Sequence, residues 1–328
     1  MESGGRRSAE RFSLTVLIPE RFGCGAKVEL KELHKHLAAR GTRHLRSYAI
    51  DQGVSGDPVV RSIDKVFQVG LPSADFARLA LLHAGADVLC GGGYPKAVDV
   101  CFEFGPELSE QERIDFSSAI FEAAESQDIV VGKCHSTSGP VTALTLAISG
   151  QQKIQWADGA ESGAVLITRR LGGMRNLYLC ALRGQLADPA LLAQMGTSHY
   201  ELLTQIGPLV SHVVDVSGFG LIGALHEAAW DINAQIEVAV AERLWVPNLG
   251  DEDPACLTSD VASFANTEKL SSRFVRRAST REFCGPLLLM VQATQVDQIV
   301  EAAQRTGFHD LAKIGEFVHG EPAVRLRS

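Results

Sequence analysis

One stretch constrains this chain more than any other: Val213-Val214-Asp215-Val216-Ser217-Gly218-Phe219-Gly220-Leu221-Ile222-Gly223. An apolar, β-branched run ends in an acid, crosses a glycine-punctuated turn and enters Leu221 to Trp230, which has helical periodicity. Strand, acid, turn and helix in that order suit an anion and a cation together. Backbone N–H groups at a helix start attract phosphate, and glycines let the chain approach it closely. A carboxylate at a strand end can hold the divalent metal that accompanies a nucleotide. The same pattern also arises where a strand merely turns tightly into a helix, and the segment alone does not separate the two readings.

A length of 328 residues allows one large domain or two of ordinary size. With 45% apolar and 21% charged residues, the composition is that of a globular protein. A net charge of −8 argues against sequence-independent nucleic-acid binding, which needs basic surface to release counterions. No apolar run has the length of a membrane span, and the first residues lack a signal peptide's hydrophobic core. Seven irregularly spaced cysteines without a CxxC pair fit neither a disulfide framework nor structural zinc, so a reducing cytoplasm is the simplest setting.

In the first half, polar residues from Met1 to Arg11 read as a mobile arm and Phe12 to Ile18 as a short strand. Gly23-Cys24-Gly25-Ala26-Lys27 follows. Its glycines leave the sulfur accessible, and the Lys27 ammonium would favour the Cys24 thiolate. The alternative is a small, partly buried loop cysteine. Glu29 to Arg40 has the spacing of a helix, and Asp51 and Asp64 fall at the ends of short strands. Pro72 to Leu89 reads as a helix capped by Ser73 or Asp75. Its Asp87 lies on a face rich in Ala and Leu, and is either exposed at the edge of the stripe or paired with a cation. A loop at Gly91 to Pro95, a strand at Ala97 to Phe104 and a helix at Ser109 to Ser126 come next, the helix with a capping box from Ser109 and Glu112. The strand at Ile129 to Val131 leads into a polar loop, Gly132 to Gly139, which carries His135 and Ser136. Val141 to Ile148 is another strand.

The second half has strands at Ala164–Thr168, Ile236–Val240, Leu287–Gln292, Ala312–Val318 and Ala323–Leu326. Helices are expected at Pro189–Met195, Thr197–Ile206 and Gln295–Thr306, with a basic glycine turn at Arg169–Gly173 and an irregular stretch from Pro247 to Ser272. There is no strict βαβ alternation, so the class is α+β.

Taken in order, these pieces resemble the selenophosphate synthetases, members of an ATP-using family that also contains aminoimidazole ribonucleotide synthetase. Gly23-Cys24-Gly25-Ala26-Lys27 is similar to that family's Gly-Cys-Gly-Cys-Lys, and Asp215-Val216-Ser217-Gly218-Phe219-Gly220-Leu221 to its Asp-Val-Thr-Gly-Phe-Gly-Leu. Asp64 stands where the family has the acid of a Thr-Thr-Asp strand, and Asp87 closes a segment matching Asn-Ala-Ile-Ser-Asp. Asp51 is the nearest equivalent of the family's paired aspartates. Lys133-Cys134-His135-Ser136 replaces its Gly-Gly-His-Ser loop, and Thr280 to Pro286 its Asp-Pro-Gln-Thr-Ser-Gly-Gly segment.

The resemblance implies a reaction: ATP, hydrogen selenide and water give selenophosphate, AMP and orthophosphate, with Mg2+. It implies Cys24 and Lys27 as the catalytic pair, and Asp51, Asp64, Asp87 and Asp215 as metal ligands. Lys27, His135, Ser136, Gly218 and Gly220 would contact the nucleotide. The implied architecture is a two-domain α+β fold: an arm over 1–21, an ATP-binding and dimerisation domain over 22–155 that shares a β-barrel with its copy in a homodimer, and a C-terminal α+β domain over 156–328. The replaced motifs leave a second expectation open, a catalytically impaired relative with a regulatory or binding role.

Overall fold

The computed structural model describes residues 48–53, 56–247, 257–259, 261–267 and 270–327. The expected arm, the Phe12–Ile18 strand, the Glu29–Arg40 helix, and Cys24 and Lys27 lie outside the described residues. What is described is α+β, with two sheets and helices packed on them.

The first sheet has five strands: β1 (Ala49–Gln52), β2 (Pro58–Phe67), β3 (Gly93–Phe104), β4 (Val130–Ser138) and β5 (Ala143–Gln152), in the order β1-β2-β5-β3-β4. Only β3 and β4 pair in parallel. Alternation decides which face is covered. Val60, Val66, Val98, Val100, Phe102, Leu144, Leu146 and Ile148 are buried beneath α1 (Ser73–Cys90) and α2 (Glu110–Ser126). The other face is open: Ile63 and Val130 are 68% and 67% exposed, large values for apolar side chains.

The second sheet has six strands: β6 (Ser162–Ile167), β7 (Val210–Asp215), β8 (Ala234–Ala239), β9 (Leu287–Val291), β10 (Ala312–His319) and β11 (Ala323–Arg327), in the order β11-β8-β10-β6-β9-β7. β9 reads Leu-Leu-Leu-Met-Val and is buried along its whole length, because apolar cores lie on both sides of this sheet. One core holds α6 (Gly220–Asp231). The other holds α5 (Tyr200–Ile206) and α8 (Val296–Arg305). The remaining helices are α3 (Gly173–Leu182), α4 (Pro189–Met195) and α7 (Ser272–Ala278). Leu177 of α3, Leu191 and Met195 of α4, and Phe283 join the core of the first sheet, so residues from the two halves pack as one cluster.

Several expectations are corrected. The polar loop at Gly132–Gly139 is the body of β4, which hydrogen-bonds along β3 through Ser138. An edge strand exposed on both faces carries polar side chains throughout, and its sequence therefore looks like a loop. β3 begins at Gly93 inside the expected Gly91–Pro95 loop. Helix α3 has no counterpart in the sequence reading; it starts directly after Gly172, which is left-handed at φ 95°. The N-cap of α1 is Pro72, and neither Ser73 nor Asp75 caps it.

The capping box is present: the Glu112 N–H donates to Ser109 Oγ at 3.3 Å, and the Ser109 N–H to Glu112 Oε2 at 2.6 Å. Ser109→Ala is expected to lower the unfolding free energy by about 1 kcal/mol, read from chemical denaturation. An unchanged midpoint would show that the box does not hold the start of α2.

Candidate active site

Asp215 is the last residue of β7, the edge strand of the second sheet, and α1 of the first sheet packs against that strand. This contact brings together acids that are far apart in sequence. Asp87, in the last turn of α1, is buried at 7% exposure and accepts a hydrogen bond from Ser62 Oγ at 2.7 Å. It also shares a side-chain hydrogen bond with Asp215. Asp64 lies two residues beyond Ser62 on the same face of β2 and adds its charge. Burial first, then Asp215 and Asp64, push the Asp87 pKa well above the usual carboxylate value. Asp87 is thus not exposed at the edge of a stripe; it is buried and faces other carboxylates. One turn on, the buried Cys90 thiol is also pushed up, by burial and then by Asp215 and Asp87.

Among the described residues no group of three His, Cys, Asp or Glu side chains is close enough to hold a metal on its own. The donor set is nonetheless the hard-oxygen kind that suits Mg2+, which ordinarily takes one or two carboxylates and completes its shell with water and phosphate.

The other expected residues are placed differently. Asp51 is exposed on β1 and pairs with Arg61 at 2.5 Å. His135 and Ser136 are exposed on β4, three strand spacings from β2, or about 14 Å across the sheet. The structure of the single chain does not bring either group beside the three aspartates. Gly220 has φ 63°, and a Cβ there would lie 2.6 Å from the Thr280 carbonyl oxygen. Both backbone conformation and close packing therefore require glycine at this position. The Gly218 carbonyl accepts a hydrogen bond from Ser259 Oγ at 2.7 Å.

The segment before β9 holds the Asp215 turn. The Val216 N–H donates to the Pro286 carbonyl at 2.9 Å, and the Glu282 N–H to the Ser217 carbonyl at 3.0 Å. The Glu282 side chain reaches the start of α3, where it accepts from the Gly172 N–H at 2.5 Å and the Met174 N–H at 3.3 Å, and also from Gly173. Cys284, left-handed at φ 49°, donates its thiol to the Leu79 carbonyl of α1 at 2.8 Å. Ser62 and Glu282 were missed by sequence reasoning, because an isolated serine in a strand and a glutamate ahead of an apolar run carry no signal of what they will touch. Burial raises the Glu282 pKa to about 7 against the opposing pull of its three N–H donors.

Comparison with known proteins adds family information. The C-terminal domain of AIR synthase related proteins matches residues 146–327. A selenide, water dikinase from Paraburkholderia xenovorans (strain LB400) is 24% identical over 273 residues, covering 77% of this chain and 76% of that protein. The solved thiamine monophosphate kinase from Aquifex aeolicus superposes with a TM-score of 0.63 at 16% identity, over 91% of this chain and 98% of its own. Hydrogenase maturation protein HypE, solved in complex with ATP, gives a TM-score of 0.59 at 15% identity over 80% of this chain and 77% of its own. The two structural likenesses establish a shared fold. Among the described residues no helix is long and apolar enough to cross a membrane.

Two outcomes follow from this geometry. Gly220→Ala should destabilise the protein by more than about 1 kcal/mol, since the new side chain meets both a left-handed φ and the Thr280 carbonyl; a variant with wild-type melting behaviour would refute the packing argument. Because Glu282 holds its proton more tightly when folded, its contribution to stability is complete below about pH 4.5 and is lost as pH rises through about 7. The wild type should therefore lose up to roughly 3 kcal/mol across that window relative to Glu282→Gln. Parallel stability–pH curves for the two proteins would remove the assignment.

Proposed function

The chain belongs to the AIR synthase related protein family, and from that premise we propose that it is an ATP- and Mg2+-dependent phosphotransferase making selenophosphate from selenide, with release of AMP and phosphate. The observation that carries this reading is the convergence of Asp64, Asp87 and Asp215 from β2, α1 and the end of β7. Buried carboxylates facing one another are costly without a cation, and a metal–triphosphate complex is the partner such a site suits. The relative of similar length bearing the name selenide, water dikinase supports the choice of substrate.

In this reading Asp64, Asp87 and Asp215 bind Mg2+, with Ser62 orienting Asp87. Bound Mg2+ would supply the positive charge that phosphoryl transfer requires. Gly218 and Gly220 shape the turn that presents Asp215, and Lys27, His135, Ser136 and Asp51 are the further nucleotide and metal contacts that the resemblance implies. Lys27 would offer its ammonium to phosphoryl oxygens, and Cys24 a soft thiolate to selenium. The boundary that the resemblance implies between an ATP-binding and a C-terminal domain, near Gln155, would fall between β5 and β6. The open face of the first sheet, with Ile63 and Val130 exposed, supports a homodimer closed across that face. A second reading, a nucleotide-binding relative without turnover, draws on the distance of Asp51, His135 and Ser136 from the three aspartates.

AMP formation from ATP and Mg2+, with and without anaerobic selenide, tests the proposal. Selenide-dependent AMP is expected, with selenophosphate visible by phosphorus NMR. Asp87→Asn and Asp215→Asn should each reduce the rate by about 100-fold while the protein stays folded. Folded wild-type protein that binds an ATP analogue but makes no AMP would favour the second reading, and variants with full activity would remove the aspartates from the site.

A further inference from the structure

A cleft of about 410 Å³ opens beside the second sheet, apart from the three aspartates, and is lined by Arg169, Arg170, Gln194, Thr197, Phe308 and Asp310 among others. Its size is that of a small-molecule site. β6 and β7 run in the same direction with β9 antiparallel between them, so Arg169 and Arg170 leave the sheet at the same end as Asp215.

Arg169 is only 3% exposed. Its Nη1 donates to the Gln194 and Met195 carbonyls at 2.7 and 2.9 Å, and its Nη2 to the Thr197 carbonyl at 2.7 Å and the His199 ring at 3.0 Å. Phe308 lies against the guanidinium at 5.2 Å, and Nε has no partner. His199 cannot supply a negative charge; burial, then Arg169, hold its pKa well below the ordinary histidine value, so the ring is neutral. Burial lowers the Arg169 pKa only to about 10, which leaves the guanidinium charged at neutral pH. Among the described residues no carboxylate pairs with it.

The neighbouring acids are committed elsewhere. Asp310 binds Arg170 at 3.0 Å and also accepts from Gln194 Nε2 at 2.6 Å. Asp188, exposed at the cleft's edge, caps α4 through the Ala190 N–H at 2.9 Å. A buried cation without a counter-charge is costly to hold, and a bound anion would relieve that cost. The second arginine at the cleft adds a fork of the kind that suits a phosphoryl group. In the free protein Asp310 holds that fork through Nε at 3.1 Å and Nη2 at 3.0 Å, so a ligand would share it with the carboxylate or take it over.

We propose that this cleft is a binding site for a phosphate-type oxyanion, either inorganic phosphate or the phosphate end of a small monoester, held between Arg169 beneath it and Arg170 at its rim. The site is independent of the nucleotide reading, since neither Mg2+ nor the aspartates take part.

Titration calorimetry of the full chain tests it, using sodium phosphate in one arm and glycerol 3-phosphate in the other, at fixed ionic strength and without divalent metal or nucleotide. Saturable binding of at least one ligand is expected. Tighter binding of the monoester would identify the phosphate end of an organic molecule, and tighter binding of phosphate the free anion. Arg170→Ala removes a cation and uncovers Asp310, so affinity should fall by about tenfold or more. Asp310→Asn should act in the opposite direction, because it frees Arg170 for the ligand. Both substitutions are at the rim and leave the hydrogen bonds made by Arg169 itself to backbone carbonyls in place. Absence of saturable binding in both arms, or equal affinities in wild type and both variants, would overturn the proposal.

Discussion

Asp87 and Asp215 can share a buried hydrogen bond only because α1, which covers the first sheet, also lies against the edge strand of the second. The rest of the site depends on that contact. It sets the end of β7 over the last turn of α1, and the strand face carrying Ser62 and Asp64 supplies the third side. Three carboxyl groups gathered in a partly dry space repel one another, and the fold tolerates this because well-packed apolar residues surround them. In the proposed reading, such a site takes a cation.

The segment from Thr280 to Pro286 is the second structural device. It takes up the Val216 N–H, gives the Glu282 N–H to Ser217, places the Glu282 carboxylate on the start of α3, and anchors Cys284 to α1. The turn after Asp215, the start of α3 and the last turns of α1 are thereby fixed relative to one another through one short stretch of chain. Its polar groups make backbone bonds to several elements, so its conformation follows from its partners rather than from its own propensity. Gly220 completes the arrangement from below, since only a residue without a Cβ fits under the Thr280 carbonyl.

The two arginines after β6 show a different balance of charge from the aspartates after β7. At one end of the same sheet, a cluster of carboxyl groups stands apart from a buried guanidinium that no carboxylate pairs with among the described residues. In the proposed reading the acids would take a metal at the β7 end, and the arginines an oxyanion at the β6 end. Antiparallel β9 keeps the two apart while holding them at one end of the sheet.

Much of the fold was legible in the chain. The Asp215 turn, the apolar β9, the capped α2 and the helix carrying Asp87 all have local signals: β-branched runs, a 3.6-residue apolar period, or a Ser–Glu capping pair. The motif order also indicated the family. Where the environment contradicts local composition, the sequence was silent or misleading. β4 is polar because both its faces are open, and so it reads as a loop. Asp87 sits in an apolar stripe, but whether it meets solvent, a cation or other acids is decided by the strand that docks there. Ser62, Glu282 and Arg169 owe their roles to partners up to about a hundred residues or more away, and pairings at that range are fixed by packing, which no local pattern records. The sequence determined which residues could bear charge at the ends of strands. Only the tertiary structure decided which of those charges would be buried together, because for the aspartates that choice depends on the docking of one sheet's helix against the other's edge.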